Sequence, residues 1–166
     1  MIDENFKIDT DQLQLSLIEG KGEHFYIRRN ASQVTIIYPP HTDFSQKQAW
    51  LTKVVIEILR KHAKLILPER LQTLAELYGF NYSGVRINSA RTRWGSCSSK
   101  GYINLSLFLM VLPSELSDYV LLHELCHTKE MNHGPRFWVL MDKVTHHRSG
   151  ELRNKLRHFP SPFRTQ

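Results

Sequence analysis

Residues 123–133, HELCHTKEMNH, bring three histidines and two glutamates into one short segment, and its reading decides how the surrounding chain is arranged. Leu116, Tyr119 and Val120 lead into it at helical spacing, so the segment reads as the end of a helix with one apolar face. Residues four apart lie on one helix face about one turn apart, which lets His123 and His127 close on a single ion. Glu124 sits about 100° around the helix from His123, where it flanks such an ion without ligating it. That is the H-E-x-x-H arrangement: two imidazoles for zinc and a carboxylate placed to take a proton from an activated water. Alone the five-residue pattern is weak, because solvated or core histidines on a helix produce it too.

Two residues compete to complete the ligand set. On an unbroken helix Glu130 stays on the stripe of His123, whereas His133 lies about 240° from His127. Three ligands in one straight row make poor vertices of a tetrahedron, however. A break near Asn132, a residue that tolerates left-handed backbone, would swing His133 over the ion, and Gly134-Pro135 signals such a break. His133 is therefore expected as the third ligand of one zinc ion. Glu130 is left as an acceptor for a ligand imidazole N–H, as an alternative ligand, or as a surface residue.

Outward from the site, GVRINSARTRW and YINL read as strands joined by the turn GSCSSKG, a hairpin immediately before the helix that opens at Pro113-Ser114. Nearer the N-terminus, QLQLSL alternates strictly and is followed by HFYIRR and QVTIIY, which predicts a three-stranded meander ended by Pro39-Pro40. Trp50, Val54, Ile58 and His62 space out an amphipathic helix, and a second helix is expected from Pro68 to Tyr78 with Gly79 as its stop. After the break, RFWVLMDKV and a short basic helix ELRNKLRHF complete the chain. Strands first, then helices around a hairpin, predicts α+β. The expected organisation is a single domain over 1–166, with a β-strand region at 1–44 and a catalytic core at 45–166.

Composition narrows the class. With 166 residues, 41% hydrophobic and 23% charged, the chain is long enough for a globular core. The acidic, polar start carries no secretory signal, and LSLFLMVLP is too short to span a bilayer. Cys97 and Cys126 are too few for a disulfide framework and are expected as reduced thiols, in a cytoplasmic monomer without a membrane partner. The net charge of +6 is concentrated toward the C-terminus, where Arg148, Arg153, Lys155 and Arg157 cluster. Such a cluster is a candidate site for nucleic acid or another polyanion, against the plainer reading of a solvated basic face.

The stretch RTRWGSCSSKGYINLSLFLMVLPSELSDYVLLHELCHTKEMNHGPRFW resembles the YgjP-like zinc metallopeptidases, relatives of the SprT-type and WLM proteases. These carry a W-G-S-C-S hairpin, then Y-V-x-x-H-E-L-x-H, then N-H-x-x-x-F-W. The resemblance is dense over 86–138 and looser through the N-terminal strands. It implies a zincin-like fold, His123, His127 and His133 as zinc ligands, Glu124 as general base, and a protein or peptide substrate. Its SprT-type relatives imply targets among DNA-associated proteins. The His127–His133 spacing is also similar to that of metzincins, from which the chain departs by having Glu130 where they have glycine.

Around this site several residues carry two readings. A substrate strand would pair with Arg93–Ser96 or with Tyr102–Leu105, and Arg93 or Tyr102 is a candidate for stabilising an oxyanion. Trp94 and Trp138 are expected mainly as core aromatics, with substrate stacking as the alternative for each. Cys97 reads as a small hydrophobe in a turn, against a fourth, inhibitory ligand. Cys126 reads as buried packing. The pair His146-His147 reads as a helix-end feature rather than a second metal site.

Overall fold

The computed structural model describes residues 1–163. The chain forms two compact units, Met1–Ile58 and a second beginning at Leu59.

In the first unit, strands β1 (Lys7–Asp9), β2 (Gln14–Glu19), β3 (Tyr26–Asn30) and β4 (Gln33–Tyr38) form one sheet in the order β1-β2-β4-β3. Leu13, Leu15 and Leu17 are buried in alternation, as are Val34 and Ile36 opposite them. The expected meander is not what forms. β2 pairs with β4 in parallel, with Leu15 against Val34 and Leu17 against Ile36, and β3 lies outside β4. The reason lies in what each strand can bury. All five residues of β3 are exposed and two are arginines, so it suits an edge, while the apolar alternation of β2 and β4 belongs in the middle.

Helix α1 begins at Phe44, where the Asp43 carboxylate accepts the Ser45 and Gln46 amides at 3.0 and 3.3 Å. It runs unbroken to Tyr78, where two helices were expected, with Pro68 inside it. A proline there removes the bond to the Lys64 carbonyl, at about 3 kcal/mol. The buried stripe Leu59, Ala63, Leu67, Leu71, Leu74 and Ala75 nevertheless runs straight past it. At roughly 1.5–3 kcal/mol for each large apolar side chain, that burial outweighs the break. The end is as the glycine signalled: Gly79 has φ +72°, and the Phe80 amide donates back to Ala75 O at 2.8 Å.

In the second unit β5 (Gly84–Asn88), β6 (Gly95–Cys97) and β7 (Tyr102–Ser106) form a sheet in the order β5-β7-β6. The hairpin before the site is present, with Gly101 in its turn at φ +77°. Its first arm is only β6; Gly84–Asn88 lies on the other side of β7 and runs parallel to it. Ile103 and Leu105 are fully buried, so β7 takes the central place. Leu107–Val111 follow as a buried 3-10 turn, capped by the Ser106 hydroxyl.

Helices α2 (Ser114–Cys126), α3 (Pro135–Val144) and α4 (Ser149–Arg157) complete the unit. Leu116, Tyr119, Val120, Leu121, Leu122 and Leu125 bury nearly every side of α2, which makes it a core element. A bidentate Arg70–Asp118 pair at 2.8 and 2.6 Å ties α2 to α1. The architecture is α+β, and no helix among the described residues is long and apolar enough to cross a membrane.

Candidate metal centre

The last turn of α2 carries His123 and Glu124, and His127 caps its end. The helix closes earlier than expected. Thr128 and Lys129 amides donate to Leu125 O and Cys126 O at 3.0 Å each, tight turns that peel the chain off the helix before Asn132. No left-handed residue is needed there, since among the described residues the only non-glycine ones with positive φ are Ala31, His41, His146 and His147. The chain then folds back, and Gly134-Pro135 starts α3 with proline in its first turn.

This fold-back brings three imidazoles together. Nε2 of His127 lies 3.2 Å from that of His123 and 3.0 Å from that of His133, and the third side is 3.1 Å. Three such nitrogens cannot all donate to one another, so lone pairs face a common point. Nitrogens about 2.0–2.1 Å from a tetrahedral ion stand about 3.3 Å apart, close to the observed triangle. The donor set therefore fits a divalent metal.

His127 Nδ1 donates to the Glu130 main-chain carbonyl at 3.0 Å, which leaves its Nε2 lone pair for an ion. The acceptor assigned by sequence to the Glu130 side chain is thus its backbone. Burial, followed by the other two histidines and Arg153, lowers His123 to about 3. Burial lowers His127 as well, so both imidazoles favour the neutral, ligating form.

Phe137 supports the cluster from α3 and is fully buried. Its ring stacks on His127 at 4.6 Å and meets His123 and His133 edge-on at 4.9 Å each. Sequence reasoning treated it as a helix-core residue; its place four residues after His133 was the available signal. Trp138 lies beside the ligands too, at 6.1 Å from the His133 ring, and is only half-buried.

Glu124 is 6% exposed and faces the hairpin. A Cβ added to Gly95 of β6 would lie 3.0 Å from both Glu124 Cγ and Oε1, so glycine makes room for this carboxylate. Burial pushes Glu124 up to about 7, opposed by the positive charge of Arg93. Cys97 follows in the same strand, and burial followed by the Glu124 charge pushes its thiol up to about 11. Its sulfur is not among the converging ligand atoms, and both cysteines are free thiols.

The remaining candidates separate. Trp94 is buried, in keeping with a core role. Tyr102 lays its ring over Gly84, on the far side of β7 from β6. Strand β7 is paired on both sides, so of the two substrate edges expected only β6 is an outer strand. His146 and His147 are exposed and turn the chain after α3 with φ 53° and 63°; the only metal-competent group among the described residues is His123, His127 and His133. In the basic cluster, Arg148 and Lys155 each pair with Glu115 and Glu151, Arg153 lies over Trp138, and Arg157 ends α4.

No curated protein matches the chain. Among solved structures, the metallopeptidase zymogen abylysin of Pyrococcus abyssi is 28% identical, with 54% of this chain and 92% of its own covered at a TM-score of 0.47. The metallopeptidase zymogen jannalysin of Methanocaldococcus jannaschii is 22% identical, with 54% and 91% covered at the same TM-score of 0.47. Residues 3–159 match the YgjP-like metallopeptidase domain, and the chain belongs to that family of metallopeptidases.

Proposed function

We propose that the protein is a zinc-dependent endopeptidase in which His123, His127 and His133 hold the ion and Glu124 is the general base. The observation that carries this reading is the triangle of Nε2 atoms with a buried carboxylate at the adjoining helix position. When bound, zinc supplies a Lewis acid that polarises the scissile carbonyl and acidifies water. The Glu124 carboxylate takes a proton from the attacking water and hands it to the leaving amine, so the same oxygen serves as base and then acid. Gly95 brings β6 against that carboxylate, and an extended substrate adds as a strand to the outer edge of β6. Arg93, whose charge reaches Glu124 from two residues before this strand, favours the ionised base.

Metal analysis together with cleavage assays of wild type and Glu124→Gln tests the assignment. Both forms should bind one zinc, and only the wild type should cleave. A zinc-loaded wild type that cleaves no protein, with or without DNA, would leave a non-proteolytic module that docks on nucleic acid or a protein partner. DNA-associated targets are supported by the basic C-terminal third, where, of the cluster Arg148, Arg153, Lys155 and Arg157, only Arg148 and Lys155 are engaged in ion pairs with Glu115 and Glu151 among the described residues. Binding to DNA should then fall steeply with salt, and salt-insensitive binding ends that part of the reading.

A further inference from the structure

The indole of Trp138 links the histidine cluster to a cation from another helix. Its ring lies 6.4 Å from that of His123 and 6.1 Å from that of His133, and the Arg153 guanidinium carbon stands 4.8 Å from the indole centroid. Arg153 belongs to α4 and is exposed. The neighbouring cations Arg148 and Lys155 are engaged with Glu115 and Glu151, whereas Arg153 has no carboxylate at ion-pair distance among the described residues.

Those ion pairs orient the helix. Arg148, Glu151 and Lys155 recur every three or four residues along one stripe, and Glu115 fastens that stripe to the first turn of α2. Arg153 follows Glu151 by two positions, about 200° around the helix, and so projects away from the clamp. A guanidinium laid on an indole face keeps its N–H groups in a plane whose rim is open to a ligand. That planar fork is suited to a carboxylate, which it binds with two parallel hydrogen bonds.

We infer that Arg153 is a specificity-determining residue, binding a carboxylate of the peptide substrate close to the scissile bond. The carboxylate is the side chain of an aspartate or glutamate if cleavage is internal, or the α-carboxylate of a chain end, in which case the metallopeptidase acts as a carboxypeptidase. The inference rests on the metallopeptidase reading of the triad, and it adds the charge of the preferred substrate.

Peptide binding to the zinc-loaded Glu124→Gln protein tests it without turnover. Labelled peptides are compared by fluorescence anisotropy in two pairs, C-terminal acid against C-terminal amide and internal glutamate against glutamine. The acidic member of one pair should bind at least tenfold more tightly, and which pair it is identifies the source of the carboxylate. Adding Arg153→Ala should abolish that preference, Arg153→Lys should keep part of it, and Arg153→Glu should turn it toward a lysine-bearing peptide. Equal binding within both pairs, or an Arg153→Ala loss shared equally by acidic and neutral peptides, overturns the inference. An oligonucleotide that displaces peptide from the parent but not from Arg153→Ala would assign the arginine to nucleic acid instead and overturn it too. Should Arg153→Ala not fold, judged by zinc content and thermal unfolding, the parent pairs with Arg153→Lys decide alone. Failure of the wild type to cleave would refute the endopeptidase reading and leave these binding ratios unaffected.

Discussion

Gly95→Ala would press on the base without touching a metal ligand. The new Cβ would stand 3.0 Å from Glu124 Cγ, 3.0 Å from Oε1 and 3.2 Å from Asn104 O. Carbon atoms pack best at about 3.5–4.0 Å, so the carbon contact alone must open by roughly 0.5 Å. Asn104 O belongs to the central strand of its sheet and sits opposite Ser96 in the ladder, so it yields little. The Glu124 side chain must give way, and it is enclosed on α2. A displacement of about 1 Å at a reacting group costs on the order of 100-fold in rate, so half of that should cost about tenfold. Overpacking should also lower stability by about 1–3 kcal/mol. The assay is kcat/KM on any peptide the wild type cleaves, with zinc content and urea unfolding measured on the same preparation. Lowered activity with one zinc retained is the expected result. Full activity, or activity lost only in step with zinc, would refute the claim that Gly95 makes room for a working carboxylate.

Other outcomes follow from the same geometry. His133→Ala should lower zinc affinity more than 100-fold, a larger loss than removal of a supporting group brings, while Glu130→Ala should retain zinc because the backbone carbonyl is what accepts from His127; equilibrium dialysis compares them, and the reverse order would sink the ligand assignment. Phe137→Ala removes a fully buried ring under three imidazoles and should cost about 3–5 kcal/mol in urea unfolding of the metal-free protein. The same change should weaken zinc binding, and unchanged affinity would mean the ring does not orient the ligands. Pro68→Ala restores a main-chain donor inside α1 and should stabilise the fold by up to about 3 kcal/mol, read as a higher urea midpoint; a lower midpoint would show that α1 is built around the proline.

Much of the site was legible because it depends on local periodicity. The four-residue step between His123 and His127 and the resumption of helix after Gly134-Pro135 are chain-local facts, and the structure follows both. Gly79 ended its helix for the same reason, since a left-handed residue there needs no partner elsewhere. The place of the break before His133 was misjudged. It arises from consecutive tight turns at Thr128 and Lys129, and no residue type in KEMN announces them.

Strand partners and the surroundings of the site were settled by competition between distant segments. β2 passes over its sequence neighbour β3 to pair with β4, because two apolar strands bury more area together than either does with an arginine-bearing edge. Pro68 sits inside a helix because the stripe that packs around it is worth more than one hydrogen bond. The closeness of Gly95 to Glu124, and of Arg153 to Trp138, joins segments 29 and 15 positions apart in a chain whose sequence carries no record of the distance between them. Helix and turn signals act within a few residues and can be read one segment at a time. Which surfaces meet depends on the free energy of the whole packed chain, and that is where the floor, the base pocket and the cationic rim of the metal centre are determined.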